Sequence, residues 1–223
     1  MIYVKKTDGT RLQLLLDKAK VRDTENTYRS GVIYEQIRDD FHGKCYICES
    51  DEVMSIQIEH FEPHRGNKDR KFDWKNLFYS CAHCNSIKGH QFWPLLNCTD
   101  IDDQIWESIE IELTLFPKTV VTVKLSADCP RLAAGEKTRQ LVEKVLTGKG
   151  TTAMKTDQAA TLRRKMATAH SAVSAAIERR DMAAIKTALS DSAPYAGMLR
   201  WYVKNNFPVL FDEWVTGLCI IGE

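Results

Sequence analysis

Alternation of apolar and polar residues predicts two strands and a helix in the middle of the chain. In residues 56–60, Ile56 and Ile58 are expected on one face of a strand and Gln57 and Glu59 on the other, until His60 ends it. Residues 77–81 (LFYSC) predict a second short strand, and residues 82–92 (AHCNSIKGHQF) a helix directly after it. The end of the first strand should then lie beside the start of the helix.

Hydrophobic periodicity predicts an α+β fold in three regions, covering residues 1–43, 44–97 and 98–223. The first region begins with a β-like stretch (IYVKK), followed by a helix in residues 32–44 that Gly43 ends. The third begins with a β-hairpin (IEIELTLF and VVTVKL) and is mainly helical from about Gly135, with its longest helix at about residues 157–180. The apolar positions of the first helix are Val32, Ile33, Ile37 and Phe41.

Composition indicates a cytoplasmic protein. No apolar run approaches the roughly 18 residues that a membrane helix requires, and the first 20 residues do not have the pattern of a secretory signal. The seven cysteines are therefore expected in a reducing compartment, where paired Cys-x-x-Cys motifs favour metal binding over disulfides.

Four of the cysteines form two identical pairs, Cys45–Cys48 and Cys81–Cys84. Each Cys-x-x-Cys turn presents two sulfurs on one side, so two turns complete the tetrahedral shell that Zn²⁺ prefers. A closed shell of four thiolates leaves no position for a substrate. The sequence therefore predicts a structural zinc site, separate from any catalytic centre.

The 32 residues between the two pairs, together with Asn85 just after the second pair, contain the chemistry of a phosphodiesterase. His60 has the near-neutral imidazole that can activate a water molecule. Glu59 and Asn85 offer the oxygen ligands that Mg²⁺ or Mn²⁺ prefers, with water and phosphate completing the coordination. We therefore predict that His60 is a general base and that Glu59 and Asn85 hold a catalytic divalent cation.

Residues 44–90 resemble the HNH (ββα-metal) endonuclease motif in its zinc-binding form. The matching pattern is a Cys-x-x-Cys pair, an acid–His pair with a proline soon after, an Asn-Leu, and then CxxC-Asn-x-x-Lys. The resemblance implies a zinc-stapled HNH core that hydrolyses DNA, in which Asn76 braces the loop through backbone hydrogen bonds and Lys88 contacts a phosphate. Glu59 occupies a position where the family most often has Asp.

The loop after His60 carries further candidates for substrate contact. His64 and Arg65 are possible phosphate contacts, and His64 is also a possible metal ligand. Arg65 and four more basic residues either form a rim that faces nucleic acid or are an ordinary solvated surface. The four are Lys68, Arg70, Lys71 and Lys75.

The helical region resembles the HNH subunits of Septu-type and retron-associated antiphage systems (PtuB-like). This resemblance implies a defence complex in which an ABC/SMC-like ATPase (PtuA-like) controls the nuclease. The net charge of only +1 fits a nuclease that a partner brings to DNA, because tight independent DNA binding usually requires a clearly basic domain.

Two alternatives stay open at the level of sequence. The chain could be a non-catalytic zinc-ribbon module that binds nucleic acid or protein, or an HNH nuclease that acts on RNA. A binding module has no need for Glu59, His60 and Asn85 together, whereas a nuclease depends on all three.

Overall fold

The computed structural model describes residues 1–24, 26–52 and 55–219. Its strands are β1 (Ile56–His60), β2 (Leu77–Cys81), β3 (Ile109–Thr114) and β4 (Val120–Leu125). Its helices are α1 (Thr10–Arg22), α2 (Asn26–Arg29), α3 (Gly31–Asp40), α4 (Lys68–Lys71), α5 (Ala82–Lys88), α6 (Ile105–Ser108), α7 (Leu132–Thr147), α8 (Ala153–Glu178), α9 (Met182–Leu189), α10 (Ala196–Asn206) and α11 (Pro208–Cys219). Single 3₁₀ turns lie at Trp74–Asn76 and Ile101–Asp103.

The fold is mixed α and β, with two small antiparallel sheets among the helices, as the sequence predicts in outline. Strands β3 and β4 form the predicted hairpin, with Ile109 opposite Leu125 at its open end. Strand β1 pairs with β2 so that Ile56 lies opposite Cys81 and His60 opposite Leu77.

Helix α5 lies across one face of β1 and fixes the geometry of the central region. Asn85 donates a hydrogen bond to Gln57, and Lys88 pairs with Glu59. Residues three apart on a helix and two apart on a strand each share a face, so these two contacts define one helix–strand interface. The strand and the helix therefore run side by side in the same direction, so the end of β1 lies beside the C-terminal end of α5 at Lys88 and not, as the sequence predicts, beside its start.

The C-terminal helices pack directly on the cysteine-rich region. One cluster of buried apolar side chains extends from Met1 to Trp214. Helix α7 contacts α5 and β4, and α10 contacts β3. Buried Lys44 donates hydrogen bonds to the carbonyl oxygens of Asp191 (2.5 Å) and Ala193 (2.7 Å), which ties the segment after α9 to the residue next to Cys45.

Several local predictions are wrong in detail. The N-terminal stretch is not a strand: Val4 N–H donates to the carbonyl of Cys98 (2.7 Å), but no ladder of such bonds follows. Its apolar side chains are buried without a neighbouring strand. Val32 is exposed because it lies off the stripe that buries Ile33 and Ile37. Helix α5 ends at Lys88, because Gly89 adopts a positive φ of 48°.

Several helices differ from the sequence prediction. Helix α8 begins at Ala153, about one turn before the predicted start, and the sequence did not predict α1, α2 or α11, the last of which begins at Pro208. Proline suits the first helical position because its missing N–H has no partner there in any case. None of the helices in the described ranges is both long and apolar enough to cross a membrane.

Candidate metal centre and catalytic cleft

The four motif cysteines converge into one buried cluster, which we call the cysteine cluster (Cys45, Cys48, Cys81 and Cys84). Their sulfur atoms all lie within 4.8 Å of one another. The Sγ atoms of Cys48 and Cys81 are 4.0 Å apart. This is close to the separation of about 3.8 Å that tetrahedral Zn–S bonds of about 2.3 Å would give neighbouring sulfurs. The cluster therefore has the size and ligand type to hold a metal such as zinc.

Local backbone structure positions each cysteine pair. The first pair follows α3 through Gly43, whose φ of 67° lets the chain turn, and Glu49 N–H closes the turn on the Cys45 carbonyl at 2.8 Å. The second pair spans the junction of β2 and α5, where Cys81 is the N-cap and its sulfur accepts a hydrogen bond from Cys84 N–H (3.4 Å). Both pairs are thus held by short-range contacts.

The electrostatics of the cysteine cluster favour negative charge on one sulfur. Burial opposes ionisation of Cys45, but hydrogen bonds from the other three thiols outweigh it and hold the pKa of Cys45 well below the usual value. The pKa of Cys48 is well above the usual value, chiefly because of hydrogen bonding to Cys45, and the pKa of Cys84 is raised chiefly by burial. A divalent cation would balance the charge of further thiolates at this site.

A cavity of about 270 Å³ lies at the end of β1, between α2, α5 and the loop after β1; we call it the cleft. It brings together five residues that the sequence singled out: Glu59, His60, His64, Asn85 and Lys88. It also contains Tyr28, Arg29 and His90, which the sequence analysis missed. Arg65 does not border the cleft.

His60 is held in a defined orientation. Its Nε2 atom lies 3.0 Å from the carbonyl oxygen of Lys71. A carbonyl oxygen only accepts hydrogen bonds, so Nε2 carries the hydrogen and Nδ1 of the neutral ring keeps the lone pair. The ring also contacts those of Tyr28 and His64, with centroid separations of 5.7 and 4.6 Å. The neutral tautomer is therefore the one that a base requires.

Glu59 lies inside the protein, on the strand face that it shares with Gln57 as predicted. Its side chain is buried, with Oε2 3.3 Å from Lys88 Nζ, and its Oε1 atom makes no hydrogen bond. Burial raises the pKa of Glu59 despite the opposing effects of Lys88 and the Tyr46 hydroxyl. The reason is α5, which covers this end of β1.

Lys88 lies beneath the cleft surface. Its side chain is 1% exposed, and it donates a hydrogen bond to the His60 carbonyl oxygen (2.9 Å) besides pairing with Glu59. In this arrangement Lys88 fixes the end of β1. Its predicted contact with a phosphate stays a prediction and would require the ammonium group to leave Glu59.

Replacement of Lys88 by methionine should lower the free energy of unfolding by about 3–5 kcal/mol, because it leaves the Glu59 carboxylate buried without a counterion. Urea unfolding at neutral pH measures this. The matched control adds Glu59→Gln to the same chain, which removes the stranded charge and should recover part of the loss. A double variant no more stable than Lys88→Met would contradict the ion-pair interpretation.

Asn85 is half-buried and is positioned by a residue that the sequence analysis did not single out. Its Nδ2 atom donates to Gln57 Oε1 at 2.7 Å, so the Asn85 amide oxygen is not used in that bond. Gln57 could have been expected from strand alternation, which places it on the face of Glu59. Tyr28 and Arg29 had no such signal, since they lie before the motif and 30 positions or more before Glu59 and His60.

Two oxygen donors line the cleft at the end of β1. Glu59 Oε1 is a buried carboxylate oxygen without a hydrogen bond, and Asn85 supplies an amide oxygen. Among the described residues, the cysteine cluster is the only group of three or more His, Cys, Asp or Glu side chains that could hold a metal. A cation in the cleft would thus have few protein ligands, as Mg²⁺ commonly does when it retains water and binds a phosphate.

Asn76 braces the loop between β1 and β2 through three hydrogen bonds. Its Oδ1 accepts from Glu62 N–H at 2.7 Å, and its Nδ2 donates to the carbonyls of Glu62 and Arg70, both at 2.9 Å. These contacts are of the kind that the resemblance implied. Asn76 is buried and lies outside the lining of the cleft.

Three of the five basic loop residues pair with acidic side chains. Lys68 and Lys71 both pair with Asp23, and Arg70 pairs with Glu62. His64 Nδ1 accepts a hydrogen bond from Gly66 N–H at 3.1 Å. The loop is therefore a weaker electrostatic rim than its lysines and arginines suggest.

In comparisons with known proteins, the chain matches no family model, no curated protein and no solved structure. Any function assigned to it therefore depends on its own residues and their arrangement.

Proposed function

We propose that this protein is a metal-dependent endonuclease of the HNH type that hydrolyses DNA. The observation that carries the proposal is the convergence of His60, Glu59 and Asn85 on one cleft. A binding module has no need for an oriented imidazole beside two oxygen donors. Phosphodiester hydrolysis uses both.

His60 acts as the base in this mechanism. Its Nδ1 atom takes a proton from a water molecule, whose oxygen attacks the phosphorus; the bond from phosphorus to the deoxyribose oxygen then breaks, and that oxygen takes a proton from solvent. The hydrogen bond from Nε2 to Lys71 and the bond from Lys88 to the His60 backbone keep the imidazole in place. A divalent cation held by Glu59 and Asn85 would neutralise charge on the phosphate and the leaving oxygen.

Zinc in the cysteine cluster has a structural role in this proposal. Four buried sulfurs leave no open position for substrate. The cluster joins the turn after α3 to the start of α5, and so places Asn85 one residue after a ligand.

The antiphage complex is the wider setting of the proposal. Its support is the resemblance of the C-terminal helices and the net charge of +1, which favours recruitment by a partner. Co-purification of an ABC/SMC-like ATPase with the chain would support this setting.

Metal dependence of DNA cleavage tests the proposal directly. The full chain should convert supercoiled plasmid to nicked and linear forms with Mg²⁺ or Mn²⁺ and should not do so after removal of these ions by EDTA. Parallel reactions with single-stranded RNA distinguish the RNA alternative. Absence of cleavage of either substrate would contradict a nuclease function for this chain.

A further inference from the structure

A second cavity extends the cleft along β1. Its volume is about 360 Å³, and it shares Arg29, Ile58 and Asn85 with the cleft. It continues past these residues to Tyr34 and Gln57. The two cavities share three lining residues and are therefore adjacent, and we call them together the groove. The groove is longer than the site of chemistry alone requires.

Helix α2 holds Arg29 at the junction of the two cavities. Tyr28, the preceding residue, is buried and makes ring contacts with His60 and Phe72, at centroid separations of 5.7 and 5.8 Å. These contacts anchor α2 against the catalytic end of β1. Arg29 is exposed on the groove side of this anchored helix.

The described part of the groove lining has more basic than acidic side chains, which suits an anionic ligand. Among the described residues that line it, Glu59 is the only acid, and its charge is paired with Lys88. Besides Lys88, the basic residues of this lining are Arg29 and three histidines: His60, His64 and His90. By contrast, a third cavity of about 740 Å³ near Trp93 is lined by three acids and three bases, so it does not select for charge.

We infer that Arg29 binds a phosphate of the substrate strand next to the phosphate that is cleaved. The inference rests on the proposed nuclease function and adds a substrate-binding residue from outside the motif region. A guanidinium suits this role because its planar set of N–H groups matches phosphate oxygens in a bidentate geometry. The position of Arg29 between the catalytic end and the Gln57 end of the groove defines the path of the strand.

Binding to inactive protein isolates this contact from catalysis. In the full chain carrying His60→Ala, Arg29→Gln should weaken the binding of a short labelled DNA duplex by about 10-fold. It should also make the slope of log affinity against log salt concentration shallower by about one, the change expected for loss of one phosphate contact. Fluorescence anisotropy over a range of salt concentrations measures both quantities.

Two matched variants sharpen the result. Arg29→Lys keeps the charge but not the bidentate geometry, so it should retain the wild-type salt slope with an intermediate affinity. Arg22→Gln removes an exposed arginine of α1 outside the groove and should leave both the affinity and the slope unchanged.

The outcomes separate this inference from the function on which it rests. If Arg29→Gln binds DNA with wild-type affinity and slope while wild-type protein cleaves plasmid, the assignment of Arg29 is wrong and the nuclease function stands. If Arg22→Gln weakens binding as much as Arg29→Gln, the effect is one of general charge and the assignment is again wrong. If the chain neither binds nor cleaves DNA, both proposals fail.

Discussion

Replacement of His60 by alanine is expected to lower the rate of metal-dependent plasmid cleavage by about 100- to 10,000-fold, the usual contribution of a positioned general base. The physical reason is the oriented imidazole, whose Nε2 is bonded to the Lys71 carbonyl oxygen and whose Nδ1 has the lone pair. Initial rates of nicking, measured with Mg²⁺ and with Mn²⁺, give the size of the loss.

The same variant should stay folded and keep its metal. His60 is only half-buried, and the four cysteines do not depend on it for a ligand. The control is His42→Asn, which removes an exposed imidazole outside the cleft at a residue with φ of 53°, a conformation that Asn accepts. It should cleave plasmid at the wild-type rate. A loss of less than about 10-fold in His60→Ala would exclude His60 as the base.

Replacement of Cys81 by serine should release the metal and destabilise the central region. In small zinc-binding peptides the metal contributes about 10–16 kcal/mol of apparent binding free energy, which is folding free energy when the unfolded chain has no formed site. Serine can still cap α5, as Cys81 does, so the substitution removes a metal ligand and leaves the helix start in place. Metal content per chain and thermal unfolding with and without a chelator measure the effect.

Cys129→Ala provides the comparison for Cys81→Ser. Cys129 is buried like the motif cysteines but lies outside the cysteine cluster, so this variant should keep a full complement of metal and respond to chelator as the wild type does. A melting curve and metal content in Cys81→Ser equal to those of the wild type would exclude the structural metal site.

Local patterns predicted β1, β2 and α5, which are three of the elements that form the site. The alternation in residues 56–60, the Cys-x-x-Cys spacing and the helix after β2 each depend on residues close in sequence, so their structure follows from short-range geometry. The hairpin of β3 and β4 was predictable for the same reason. The pattern of the N-terminal stretch predicts a strand, but its apolar residues are buried in an irregular segment. No local signal distinguishes a buried irregular segment from a strand.

Contacts between distant segments decided the environment of the site. The burial of Glu59 depends on α5, whose Lys88 lies 29 residues later in the sequence. The exposed Arg29 lies at the groove because the preceding residue, Tyr28, packs against His60. The ion pairs of Lys68 and Lys71 depend on Asp23, which lies far from the loop in the sequence and is not part of its local charge pattern.

The sequence by itself determined the ligand types, the order of strands and helix, and the residues able to take part in hydrolysis, because chemical identity and short-range backbone preferences are written in consecutive residues. The tertiary structure alone decided which of those side chains face the cleft, which are buried in ion pairs, and which outside residues join them. Those outcomes depend on long-range packing, which brings together groups that no local pattern relates.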